Sequence, residues 1–219
     1  MKYFYVISIL LFSAILLSAS SGVGEIQNKE RTGTPDGDNV CSQCHSSSSF
    51  SPIVNLTITT TTNQNVTLYT PGETYLLTFM VSETTGNPSE YGFQATALLG
   101  DLSNAGTFLN PGTNVQLENV TNANVTDRHV VEHSSPSSSG VFMVEWTAPQ
   151  TAEAVVFYYS SVSANGNGSS SGDSYAGGTF DFYPDSLEPQ FCPGDLNETG
   201  DITAADLTIF LSIFGTSCD

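Results

Sequence analysis

The sequence predicts a mainly β protein: an antiparallel sandwich of about seven or eight short strands, followed by a small C-terminal module of one calcium-type loop and one helix. Three observations carry this. Between residues 53 and 183, apolar side chains recur at every second position in run after run. Gly-, Pro-, Asn- and Ser-rich turn signals separate those runs, with no helical period between them. After a short linker at residues 184–191, residues 192–219 hold the only helical period beyond the N-terminus.

The first segment sets the compartment. Met1–Lys2 is a short positive start, Phe4 to Leu17 is almost wholly apolar, and Ser18-Ala19-Ser20 supplies small residues for cleavage. Residues 1–20 read as a secretory signal peptide, the apolar run being too short to span a bilayer comfortably. An uncleaved anchor helix is the alternative. No Cys follows the apolar run, so a lipid anchor is not indicated. The expectation is a secreted or cell-surface protein, peripheral to a membrane at most.

The chain carries 4 Lys+Arg against 22 Asp+Glu, a net charge of −18. Loss of the signal peptide removes Lys2 and no acid, which leaves Lys29, Arg31 and Arg128 against 22 acids, a net −19. Such a surface repels phosphate backbones, so nucleic acid is excluded as an expected partner. It suits solubility, a saline medium and counter-ions that include Ca²⁺.

Residues 21–52 are rich in Gly, Asp and Ser without apolar period, and read as an irregular arm. Residues 53–183 then alternate. Val54–Thr61 is the first run; in "YLLTFMVS", Tyr75, Leu77, Phe79 and Val81 share a face. Gly92–Leu99, Val130–His133 and "VFMVEW" follow, the last with Phe142, Val144 and Trp146 on one face. Ala154–Val162 is nearly continuous, as a central strand would be, and Gly178–Tyr183 closes the series. "TPGE", "GNPSEYG", "NPGTN", "SSPSSSG" and "ANGNGSSSGD" are the turns.

In the C-terminal module Leu207, Phe210, Leu211 and Phe214 fall at helical spacing, and Gly215 can end the helix. Oxygen-bearing side chains recur at Asp195, Asn197 and Thr199. Gly200 follows, Asp201 offers a backbone carbonyl, and Asp206 closes a loop of EF-hand spacing. The loop is a candidate Ca²⁺ site, against the plainer reading of a solvated turn and helix start. It resembles one half of a type I dockerin. Thr199 replaces an acid of that pattern and removes a charge, and a second repeat is absent. Cys192 and Cys218 bracket the loop. In an oxidising compartment they can form a disulfide that stabilises so small a unit by about 3 kcal/mol.

The arm holds Cys41, Cys44 and His45 in the order C-x-x-C-H. A zinc site would draw on His129 and His133 alone for further nitrogen, with no second Cys pair free. A Cys41–Cys44 disulfide is allowed but leaves His45 unexplained. Covalent haem c employs all three residues, two as thioethers and His45 as the proximal iron ligand. Candidates for a sixth ligand are His129, His133, Met80 and Met143.

The strings "RTGTPDGDNVCSQCH", "YTPGETYLLTFMVSE", "YGFQATAL", "VVEHSS", "VEWTAP" and "ANGNGSSSGD" resemble, in order, the choice-of-anchor V domain family of exported bacterial proteins. The resemblance covers about Arg31 to Asp181 and includes the "VVEHSS" string, which favours His133 as the sixth ligand, against the plainer reading of a partly buried strand-end His bonded to the neighbouring Ser hydroxyls. It implies a Reeler-like sandwich preceded by a C-x-x-C-H arm and followed by exchangeable C-terminal modules, and no established activity.

Two functional classes follow. One is an exported single-haem protein for electron transfer or redox sensing, with a redox partner and a calcium-stabilised tether. The other is a non-redox adhesion or matrix-binding module with a Cys41–Cys44 disulfide. No G-x-S-x-G, H-E-x-x-H or other nucleophile–base set is present, so an enzyme is not expected.

Overall fold

A computed structural model describes residues 21–47, 50–185, 194, 196–197 and 202–215. The expected signal peptide, most of the expected linker, and Cys192, Asp195, Thr199, Asp201 and Cys218 lie outside the described residues. The chain divides into two compact units, Met1–Asp185 and Ser186–Asp219.

The first unit is an antiparallel β-sandwich. Its strands are β1 (Ser46–Ser47), β2 (Pro52–Thr60), β3 (Leu68–Tyr69), β4 (Thr74–Glu83), β5 (Glu90–Leu98), β6 (Thr107–Leu109), β7 (Val115–Val120), β8 (Arg128–His133), β9 (Val141–Thr147), β10 (Val155–Ala164) and β11 (Ser171–Pro184). One sheet runs β1-β11-β10-β5-β8-β7, with β3 also on β11; the other runs β2-β4-β9-β6. Pairing is antiparallel except for the short contacts of β11 with β1 and β3, which are parallel.

The small sheet follows its alternation. Tyr75, Leu77, Phe79 and Val81 of β4 face the core with Phe142, Val144 and Trp146 of β9, and all seven are buried. From the large sheet Phe93, Ala95, Ala97, Val131, Phe157, Tyr159 and Phe182 close the same core. Aromatic rings fill it. Phe93 stacks on Phe142 at 4.3 Å, and Trp146 stands edge-on to Phe157 at 5.0 Å.

The large sheet departs from half-burial. Along β5, every residue from Gly92 to Leu98 is buried, and on β10 so is every residue from Tyr159 to Ser163. Gln94, Thr96, Glu132, Ser160, Ser161 and Ser163 are polar residues inside this protein. The cause is the arm, which lies across the outer face of the sheet and covers Gln94, Glu132 and Ser160, whereas Ser161 and Ser163 share the inward face of β10 with Phe157 and Tyr159. The arm is therefore not irregular throughout: it contains helix α1 (Val23–Gln27), a single 3-10 turn at Cys41–Gln43, and β1. Its last expected residue, Pro52, already belongs to β2. The short strands β1, β3, β6 and β7 go beyond the alternating runs of the sequence, and β11 begins inside the expected "ANGNGSSSGD" turn.

The second unit contains helix α2 (Ala204–Ile213). Thr203 caps it, and Asp206 at the third helical position completes a capping box. Phe214 leaves the helix in an extended conformation, and Gly215 follows at φ +84°, the left-handed geometry expected of a helix-ending glycine.

Candidate functional site

One buried carboxylate holds the arm down and a second organises it from within. Glu132 of β8 is 0 % exposed and accepts four hydrogen bonds: from the Gly24 and Glu25 backbone N–H groups at 2.8 and 2.9 Å, Gln94 Nε2 at 2.8 Å and Gln116 Nε2 at 3.0 Å. A Cβ on Gly22 would collide with this carboxylate, which explains a glycine there. Glu30 is the second. It accepts from the Thr32 N–H at 2.8 Å and from the hydroxyls of Thr32 and Thr34, so "ERTGTPDGD" coils around an acid. Arg31 donates to the Asp38 carbonyl and to Gln43 Oε1, which ties this coil to the C-x-x-C-H turn.

The turn itself is compact. The N–H groups of Cys44 and His45 both donate to the Cys41 carbonyl, at 3.2 and 3.0 Å. This folds the five residues into one turn over β10 and β11. Cys41 is half-buried, with its Sγ 3.0 Å from Ser160 Oγ. Burial pushes its thiol up to about 11, against smaller lowering effects of the Ser160 hydrogen bond and of Arg31. Cys44 is exposed, and both are free thiols in this structure. Tyr175 of β11 lies close to Cys41; burial, and to a smaller degree Cys41, raises its phenol.

His45 is anchored. Its Nδ1 lies 2.7 Å from Asp173 Oδ2, and the Asp173 side chain is 2 % exposed against 36 % for the imidazole. The other oxygen, Oδ1, accepts the Asn165 N–H at 3.0 Å. Directly after His45, β1 pairs with the strand that carries Asp173, with Ser47 opposite Asp173 itself.

His133 lies at the other side of the same sheet region. The pairing of β5 with β8 ends at Gln94 and Glu132, and the His133 ring fills the gap where the strands part. Its Nδ1 meets the Phe93 carbonyl at 3.0 Å and the Phe93 N at 3.2 Å. The ring covers Gly92, where a Cβ would come within 2.9 Å of it. Gly92 pairs with Val162, and Val162 with Tyr175, so the two imidazoles flank β10. Burial lowers the basicity of His133, and His45 contributes to the same shift.

The remaining sixth-ligand candidates are elsewhere. His129 stands four residues back along β8, about 13 Å at strand spacing, beside Asp127. Met80 and Met143 alternate outward from the buried Phe79, Phe142 and Val144 of the small sheet. They occupy the opposite outer face of the sandwich, with two sheets about 10 Å apart in between, and cannot reach iron held at His45. This corrects the inclusion of the methionines among the ligands. Asp173, Ser160 and Tyr175 were not singled out by the sequence. Asp173 is one acid among 22, inside a segment that reads as a turn.

In the second unit the described candidate ligands of the calcium loop are Asn197 and Asp206. Asp206 Oδ1 accepts the Leu196 and Asn197 N–H groups at 2.9 and 3.2 Å, and Oδ2 accepts from Thr203 N and Oγ1 at 2.7 and 2.9 Å. Those bonds, the Thr203 N–H first, hold its carboxyl down at about 2. The residue that closes the loop thus joins its beginning to α2. Leu207, Phe210, Leu211 and Phe214 are exposed. Among the described residues no three His, Cys, Asp or Glu side chains converge as a metal site, and no helix is long and apolar enough to cross a membrane.

No family model and no curated protein matches the chain. Among solved structures, it is similar to a human F-spondin reeler domain at 22 % identity, over 64 % of this chain and 95 % of that one, with a TM-score of 0.37. Over 65 % of this chain and 93 % of the other, it is similar to the Reelin-N domain of F-spondin at 17 % identity and a TM-score of 0.38. A conjugative transposon lipoprotein from Bacteroides eggerthii is similar at 12 % identity, over 62 % of this chain and 98 % of that chain, with a TM-score of 0.30.

Proposed function

We propose that this is an exported single-haem protein for electron transfer or redox sensing. Cys41 and Cys44 hold haem c through thioethers, His45 is the proximal ligand, and His133 completes the coordination. The observation that carries this reading is the His45–Asp173 pair. An Nδ1 bonded to a buried carboxylate leaves Nε2 as the nitrogen for iron. The donor set fits the group: two thiols and an imidazole in one turn, with Cys44 exposed and His45 part-exposed for attachment. When bound, the haem supplies a one-electron couple.

The expected result is a c-type absorption spectrum that survives denaturation, in protein from a host that matures c-type cytochromes. Cys41→Ser with Cys44→Ser should abolish it. An unmodified chain two protons lighter at the Cys pair would instead favour the adhesion-module reading.

The C-terminal unit is proposed as a calcium-stabilised tether. Asp206 already draws the start and end of the loop together, as a closing ligand must. Titration calorimetry on the mature oxidised chain is expected to detect Ca²⁺ binding that Asp195→Ala abolishes. Absence of binding heat in the wild type, with Cys192 and Cys218 oxidised, would end this proposal.

A further inference from the structure

The structure assigns a positioning role to Asp173: its buried carboxylate holds His45 as the Nδ1–H tautomer, turns an electron-rich Nε2 outward, and so lowers the reduction potential of a haem held at Cys41 and Cys44. The potential rests on the haem reading above; the tautomer does not.

Three features make the carboxylate a rigid acceptor. It is buried on β11. Its Oδ1 is occupied by the Asn165 N–H at 3.0 Å, which leaves Oδ2 directed at Nδ1 at 2.7 Å. The two residues that follow His45 pair with the strand that carries Asp173, through a register shift between Ser46 and Ser47, so the two backbones lie side by side. Charge makes the pairing more than a hydrogen bond. Among the described ion pairs, Asp173 meets His45 alone; Arg128 is committed to Asp36 at 2.8 Å, and Arg31 donates to Asp38 O and Gln43. A carboxylate desolvated in this way lacks a permanent cation. It is best satisfied when positive charge lies beyond the neutral His45 ring, on a metal at Nε2. A carboxylate acceptor also draws the Nδ1 proton more strongly than a carbonyl would, and this makes Nε2 the stronger donor. Both effects favour the oxidised over the reduced iron.

Asp173→Asn keeps the size and one acceptor and removes the charge. In haem-loaded protein, attachment is expected to persist and the midpoint potential to rise. An unchanged potential with full haem content would overturn the role in tuning. The second measurement needs no haem and no change at Asp173. In the Cys41→Ser, Cys44→Ser protein, nitrogen-15 correlation spectra of the neutral His45 ring should report the Nδ1–H tautomer. A ring protonated at Nε2 there would overturn the positioning role itself. If the wild type carries no haem but the Nδ1–H tautomer is found, the haem reading fails and the positioning role stands.

Discussion

Trp146→Ala is expected to cost about 3–5 kcal/mol of folding free energy, the range for truncating a large buried aromatic. Trp146 is 0 % exposed and touches both sheets. Its ring lies 5.0 Å from Phe157, 6.0 Å from Tyr69, 6.3 Å from Tyr75 and 6.2 Å from Phe182. Its Nε1 donates to the Ala105 carbonyl at 2.9 Å, so the indole also anchors the chain that leads into β6. Alanine would leave a cavity between rigid sheets that cannot close over it, and would orphan that carbonyl. Urea unfolding of the mature protein measures the loss. A change under about 1 kcal/mol would mean that the indole is not a core side chain.

Glu132→Ala is expected to cost about 3 kcal/mol or more and to release the N-terminal segment. The carboxylate accepts four N–H donors from three parts of the chain, and none of them is a cation. Its removal leaves buried Gln94 short of a partner and frees the N–H groups that hold α1 against the sheet. The Gly24 and Glu25 N–H groups recover a partner from water when residues 21–29 lift away. Faster amide exchange or proteolysis confined to that segment, together with a lower urea midpoint, is the expected signature. Glu132→Gln keeps the volume and should lie between the variant and the wild type. Wild-type protection of the segment in Glu132→Ala would show that the clasp is held by other contacts.

These two residues mark the limits of what could be read from the chain. Trp146 was legible because the small sheet has one wet face: Phe142, Val144 and Trp146 alternate with Val141, Met143 and Glu145 along β9. Glu132 was not, because its strand reads as a short apolar run and its acid as one of many. In the candidate site, Cys41, Cys44 and His45 announced themselves by spacing, and His133 by the string around it. Their partners Ser160 and Asp173 lie 119 and 128 residues further on, within segments that read as a strand and a turn. The weak strands β3 and β6 are two and three residues long, too short for any period to register.

Local pattern was enough to specify the sandwich, the inward faces of β4 and β9, the stop of α2 just before Gly215 and the grouping of Cys41, Cys44 and His45 in one short turn. Each of these depends on residues within a few positions of one another, where alternation, turn chemistry and ligand spacing are local properties. Contacts between distant segments were needed to lay a polar arm on the large sheet, to make Glu132 an interior residue and to set His45 against Asp173. Burial of a polar group is favourable only when its partners arrive with it. Here the partners come from the far end of the chain, as when the Ser160 hydroxyl donates to the Arg31 carbonyl across 129 positions. Hydropathy records each residue's preference for water, whereas the fold is decided by which distant donors and acceptors replace that water.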